Sequence, residues 1–191
     1  MRAVLKKLER IVSKLIPSHG THGFEHTNRV YKTCIALGNT LNADMSVLLP
    51  AVLLHDIVRV GENHACASSN MARDILRGLN YPEKAIMAIS EIIRSHSFSA
   101  GKIPESLEAK ILSDADKLDA IGALGIYRAA MYSTENRRLL EDYISHFSEK
   151  LLNLKEMMYT DEASRIAESR HRFLLVYLEQ IEDELIQGSS I

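Results

Sequence analysis

The chain has 191 residues, 23 Lys and Arg against 25 Asp and Glu, 46% hydrophobic residues and no Trp. A chain of this length buries roughly 70% of the surface its unfolded state exposes, so it needs neither disulfides nor a structural metal for a core; one domain over residues 1–191 is expected. The near-neutral charge argues against a broad hold on a nucleic-acid polymer, and no run reaches the ~20 apolar residues of a membrane span. Cys34 and Cys66 are too few and too far apart for a disulfide framework or a Cys-based zinc site, and read as reduced thiols in a cytoplasm.

The N-terminal residues place Val4, Leu5, Leu8, Ile11, Val12, Leu15 and Ile16 on one helical face, which predicts a helix over about 2–16, stopped by Pro17. Val30, Cys34, Leu37 and Leu41 mark a second helix over about 24–41. Asp44 is the expected N-cap of a third running toward His55, with Pro50 kinking or restarting it. Met71, Ile75 and Leu79 define a fourth, closed by Gly78 or Asn80, and Pro82-Glu83 opens a fifth through Ile86, Ile89 and Ile93. After a loop around 97–104 a sixth begins near Leu107 and is expected to continue or break near Gly122 and Gly125. Two longer C-terminal helices over about 134–187 follow. The last has Thr160 as N-cap and an apolar face of Ile166, Phe173, Leu174, Tyr177, Leu178, Ile181 and Leu185, and ends in a frayed tail. No stretch alternates with period two and no repeat is found, so the fold class is all-α, a single compact helical bundle.

The chemistry lies where polar residues continue apolar stripes. Extending the second helix's stripe backward reaches His26; the fifth's forward, His96; the fourth's backward, His64. The third helix ends in His55-Asp56, and on the sixth Leu112 is followed by Asp116 and Asp119. A single inward His is more often a satisfied core residue than a ligand. Five helices each aiming a His or Asp inward is a different matter, because buried ionisable groups are costly unless paired or coordinating, and a divalent cation resolves them together. Two imidazoles and two carboxylates (His26, His55, Asp56, Asp116) suit Mn, Fe, Co, Ni or Zn better than Mg. Asp116 and Asp56 would repel each other, so removing Asp116 is expected to cost the metal-free chain no stability.

The set His26, His55-Asp56 and Asp116, in the words HGFEHTNRV (22–30), LHDI (54–57) and DADKLDAIGA (114–123), resembles the HD-domain metal-dependent phosphohydrolase superfamily, in particular its small uncharacterised predicted hydrolases. The resemblance covers about residues 20–130. It implies an all-α fold, a site for one or two divalent ions, and hydrolysis of a phosphate ester of a nucleotide or other small phosphorylated metabolite by metal-bound hydroxide. His64 and His96, between the His-Asp pair and the last Asp, serve either a second ion or a substrate phosphate. Arg59, Lys117 and Arg128 are candidate phosphate cations, with surface ion pairing the plainer reading of each. Asp119 is a candidate support for Lys117 or a ligand His, and His22 is either an outer-shell group or a helix-start residue. Some nucleotidase-type relatives carry Glu three residues after the His-Asp pair, where this chain has Arg59. The alternative function is a non-catalytic nucleotide or metal sensor. A small phosphorylated ligand is the expected partner, neither membrane nor nucleic-acid polymer is expected, and homo-oligomerisation is left open.

Overall fold

The computed structural model describes residues 2–59, 63–97 and 102–188, and every regular element among them is helical. The chain divides into two compact units, residues 1–116 and 117–191.

In the first unit, α1 (Arg2–Leu15) buries Leu5, Leu8 and Val12. The stripe of α2 (Phe24–Thr40) buries Val30, Cys34 and Leu37 and carries His26 to full burial. Asp44 caps α3 (Met45–Leu54), its carboxylate accepting from the Ser46 backbone N–H at 2.9 Å. Every side chain from Leu48 to Leu54 is buried, and α3 packs on α1, α2 and α5 (Glu83–Ser95). The expected restart at Pro50 does not occur. A mid-helix proline costs about 3 kcal/mol, and the surrounding Leu and Val side chains, at about 1.5–3 kcal/mol each when fully buried, outweigh it.

Helix α4 (His64–Gly78) ends as the sequence suggests: Asn80 takes φ 57°, its N–H donates to the Arg77 carbonyl at 2.9 Å, and the Tyr81 N–H donates to Leu76 at 3.1 Å. Its buried face is a correction. Ala65, Ser68, Ser69, Ala72 and Leu76 face inward while Met71 is exposed. Small residues allow α4 to lie close against α5, and the Ser69 hydroxyl donates to the Ser90 carbonyl at 2.8 Å, so the packed face is not the most hydrophobic one. Ile86, Ile89 and Ile93 of α5 are fully buried, as their spacing predicts. Of the loop expected over 97–104, residues 98–101 lie outside the described residues. The beginning of α6 (Leu107–Asp119) is tied to the first unit. Glu108 accepts from the Asp44 N–H, and the Ser113 hydroxyl donates to the His96 carbonyl, both at 2.9 Å.

In the second unit, α7 (Gly122–Glu135) starts at Gly122, whose φ of 77° turns the chain out of α6; Gly125 lies inside the new helix. The first of the two long C-terminal helices is not formed. Instead α8 (Leu140–His146) widens into a π turn over Phe147–Leu151 and tightens into a 3₁₀ segment over Leu152–Met157. The Asn153 amide captures the Ser148 and Glu149 carbonyls that the altered register releases, at 3.2 and 3.1 Å. Phe147 is thereby buried against Tyr143 and Tyr177. Helix α9 (Asp161–Gly188) is long, and the Thr160 hydroxyl caps it by accepting from the Ala163 N–H at 3.3 Å. Of its expected apolar face, Leu174 is fully buried beside Ala163 and Ala167, whereas Ile166, Phe173 and Leu185 are exposed. The last tail residues, 189–191, lie outside the described residues.

Candidate metal centre

The first unit brings His22, His26, His55, Asp56, Arg59, His64, His96 and Asp116 around one carboxylate, that of Asp56. Asp56 Oδ2 faces His22 Nδ1 at 3.4 Å, His26 Nε2 at 3.7 Å and His55 Nε2 at 3.7 Å. Oδ1 faces Arg59 Nη1 at 2.9 Å, His96 Nε2 at 3.7 Å and His64 Nε2 at 3.9 Å. Asp116 Oδ1 stands 3.3 Å from His26 Nε2. Three triads place one ligand atom from each member within 4.8 Å of the others: His22, His26 and Asp56; His26, His55 and Asp116; His55, Asp56 and His96.

Local sequence explains how these groups arrive. His55 and His96 each follow the last residue of an apolar helix, α3 and α5, as its C-cap. Each turns its ring back on its own helix end: His55 Nδ1 meets the Val52 carbonyl at 2.7 Å and His96 Nδ1 meets that of Ile93 at 2.6 Å. A carbonyl only accepts, so Nδ1 carries the proton in both rings and Nε2 is directed toward Asp56. The Ser68 hydroxyl, fully buried on α4, accepts from the Val58 N–H at 3.1 Å and so fixes the backbone between Asp56 and Arg59. Sequence reasoning missed Val52, Ile93 and Ser68. The two carbonyls carry no side-chain signal, and a serine on a helix face looks like solvent.

Burial and charge then sort the groups. His26, His55, Asp56 and His96 are buried, whereas His22 and Arg59 each keep 32% of the side chain exposed and Asp116 31%, so the cluster is closed on one side and open on that of these three. Burial pushes the His55 imidazole down to about 4, against the attraction of Asp56, and leaves it neutral at pH 7. His96 moves the other way: burial lowers it, but the hydrogen bond and charge of Asp56 prevail and raise it. Burial pulls the Asp56 carboxyl up, and His55, His22, His96 and Arg59 outweigh that and hold it well below the usual carboxylate range. Asp116 is likewise held low, chiefly by His26 against the pull of burial. Arg59 Nη1 and Nη2 bind Asp56 Oδ1 and His22 Nε2, so that the His22 ring accepts at Nε2 and presents Nδ1–H to Asp56.

The donor set fits a divalent ion. The buried Nε2 of His55 has no hydrogen-bond partner among the described residues, and it faces Asp56 Oδ2, itself an acceptor. Two acceptors turned toward each other at 3.7 Å call for a cation between them, and mixed imidazole and carboxylate donors are those of a transition-series ion. The remaining candidates lie in the second unit. Lys117 stands 4.4 Å over the Tyr159 ring, and Asp119 meets Arg128 at 3.1 Å in a buried ion pair.

An all-helical fold carries a His, a His-Asp pair and a distant Asp around one centre, and the comparisons assign that arrangement to a family. The model of the HD domain family matches residues 23–121, and the chain belongs to that family. The uncharacterised protein YpgQ of Bacillus subtilis is 34% identical over 194 residues, 95% of each chain. The crystal structure of YpgQ in complex with ADP superposes with a TM-score of 0.80 at 31% identity, covering 94% of this chain and 97% of that one. An HD-superfamily hydrolase from Bacillus thuringiensis gives 0.78 at 30% identity, with 96% and 97% covered. No helix among the described residues is long and apolar enough to cross a membrane.

Proposed function

We propose that the chain is a metal-dependent phosphohydrolase that cleaves a phosphate ester of a nucleotide or other small phosphorylated metabolite, with His26, His55, Asp56 and Asp116 as metal ligands. The observation that carries this reading is the buried, neutral His55 Nε2 facing the Asp56 carboxylate across 3.7 Å. An ion bound there supplies charge neutralisation for a phosphoryl group and lowers the pKa of water. The chain's own residues hold the donors ready. The Val52 carbonyl fixes the His55 tautomer, Asp116 brings negative charge to the open side, and His22 presents an Nδ1–H to Asp56. The ADP complex of YpgQ supports a nucleotide as the substrate class.

Metal content of protein purified without chelator or nickel resin is measured first, then phosphate release from an aryl phosphate and a nucleotide panel with Mn, Fe, Co, Ni and Zn. Metal-dependent release, lost in His55→Ala, is expected. Tight nucleotide binding without release under every metal would instead identify a sensor, and absence of metal uptake would remove the centre.

A further inference from the structure

We infer that Arg59 is the built-in cation of a second ion position, so that the centre takes one divalent ion and the guanidinium stands where another would bind. This rests on the metal-centre reading above and decides its ion count.

The two oxygens of Asp56 face different groups. Oδ2 looks toward His26 and His55, which Asp116 joins, and these make the donor set of one ion. Oδ1 looks toward His96 Nε2 at 3.7 Å and His64 Nε2 at 3.9 Å, a second set of two nitrogens and one oxygen through the same bridging carboxylate. Arg59 Nη1 sits on that oxygen at 2.9 Å, nearer than either imidazole, and Nη2 is tied to His22. A guanidinium does not lose its proton at working pH, so it yields the oxygen only by moving away, whereas a lysine or histidine could also yield it by losing its charge.

Charge counting points the same way: the donor set contains two carboxylates, Asp56 and Asp116, and one divalent ion balances them. With Arg59 in place a second dication would leave an excess of three positive charges around two carboxylates in a site whose inner groups are buried. It would also meet the guanidinium across a single oxygen. His64 and His96 are therefore not called on to hold an ion, and a second ion enters only when Arg59 leaves.

Chelator-treated full-length chain is titrated with Mn²⁺, reading stoichiometry by calorimetry and the ion's surroundings by electron paramagnetic resonance. Wild type is expected to take one ion with the spectrum of an isolated Mn²⁺. Arg59→Gln is expected to take two with a spin-coupled spectrum, and Arg59→Gln/His64→Ala to return to one. Two ions in wild type, or one in Arg59→Gln, overturns the inference while leaving the metal centre standing. No ion in wild type overturns the centre and the inference with it. Should Arg59→Gln fail to fold, His64→Ala alone decides: its single ion is retained with unchanged affinity, whereas loss of an ion from a two-ion wild type refutes the proposal.

Discussion

His55 and His96 share a local device, an Nδ1–H turned onto the carbonyl three residues back, yet they differ in protonation because only His96 has Asp56 as a dominant hydrogen-bond partner. The His55 value in the folded state, about 4, lies below the ordinary 6.5, so the unfolded chain binds its proton first. The His55 contribution to the stability of the metal-free chain is therefore complete above about pH 6.5 and falls as pH drops toward 4, by on the order of 3 kcal/mol. His96, raised, contributes stability below its ordinary value and does not offset that fall between those limits. Urea midpoints of chelator-treated protein at pH 6.5 and 4.5 measure it; equal midpoints would remove the neutral buried imidazole. Asp116 reverses an expectation drawn from charge alone. Repulsion from Asp56 is present, but His26 at 3.3 Å outweighs it, so Asp116→Ala is expected to destabilise the metal-free chain by about 1 kcal/mol at pH 7 as well as weaken metal binding. A metal-free variant that melts at or above wild type restores the repulsive account. All eight first-unit residues were legible as side chains on stripes or in motifs, whereas which oxygen each one faces was not, since that depends on backbone carbonyls and on the placement of Arg59.

Helix boundaries were legible where a cap or a left-handed residue marks them. Asp44, Thr160, Asn80 and Gly122 all do what their chemistry suggests. Asp44→Ala should cost about 1 kcal/mol, because the Ser46 N–H loses its acceptor. Its carboxyl is held low by the Ser46 hydroxyl and N–H, so this contribution is present above the ordinary carboxylate range and is lost as pH falls below it. Denaturant melts of the variant and wild type at pH 7 test the first statement, and a series carried downward from pH 5 tests the second; a difference that does not shrink anywhere as the pH falls would contradict the ionised cap. Gly122→Ala should cost more. The left-handed backbone alone carries about 1–2 kcal/mol for an L side chain, and the new Cβ would lie 2.9 Å from Arg170 Cγ. A melting temperature equal to wild type would show that the turn relaxes. Which face of a helix is buried was less legible: on α4 the choice fell to Ala and Ser through close packing with α5, and on α9 much of the apolar stripe stays exposed. Hydrophobicity identifies a stripe that can be buried, not the neighbour that buries it. The broken segment at 140–157 was not legible at all, because its register is set by Phe147 meeting Tyr177, thirty positions away in sequence.

For the whole molecule, an ion that binds only the folded chain stabilises it by mass action, about 2.7 kcal/mol at a free concentration one hundred times Kd. Thermal melts across a Mn²⁺ series should rise with concentration in wild type and stay flat in His55→Ala; parallel curves would mean that the ion binds elsewhere. The all-helical class and the family were legible, from the absence of two-residue alternation and from the order of His26, His55-Asp56 and Asp116 along the chain. The division at residues 116 and 117 was not, since it falls inside the continuous helix α6, where no linker composition marks it. The carbonyls of Val52 and Ile93 also govern the order of events in the life of the protein. Each belongs to the helix its histidine ends, so both rings are aimed as soon as α3 and α5 wind, with no ion present. On the proposed metal-centre reading, loading is expected to be separate from folding: the finished chain takes up its ion in a single bimolecular step, its rate linear in ion concentration, and a rate that saturates would show a rearrangement instead.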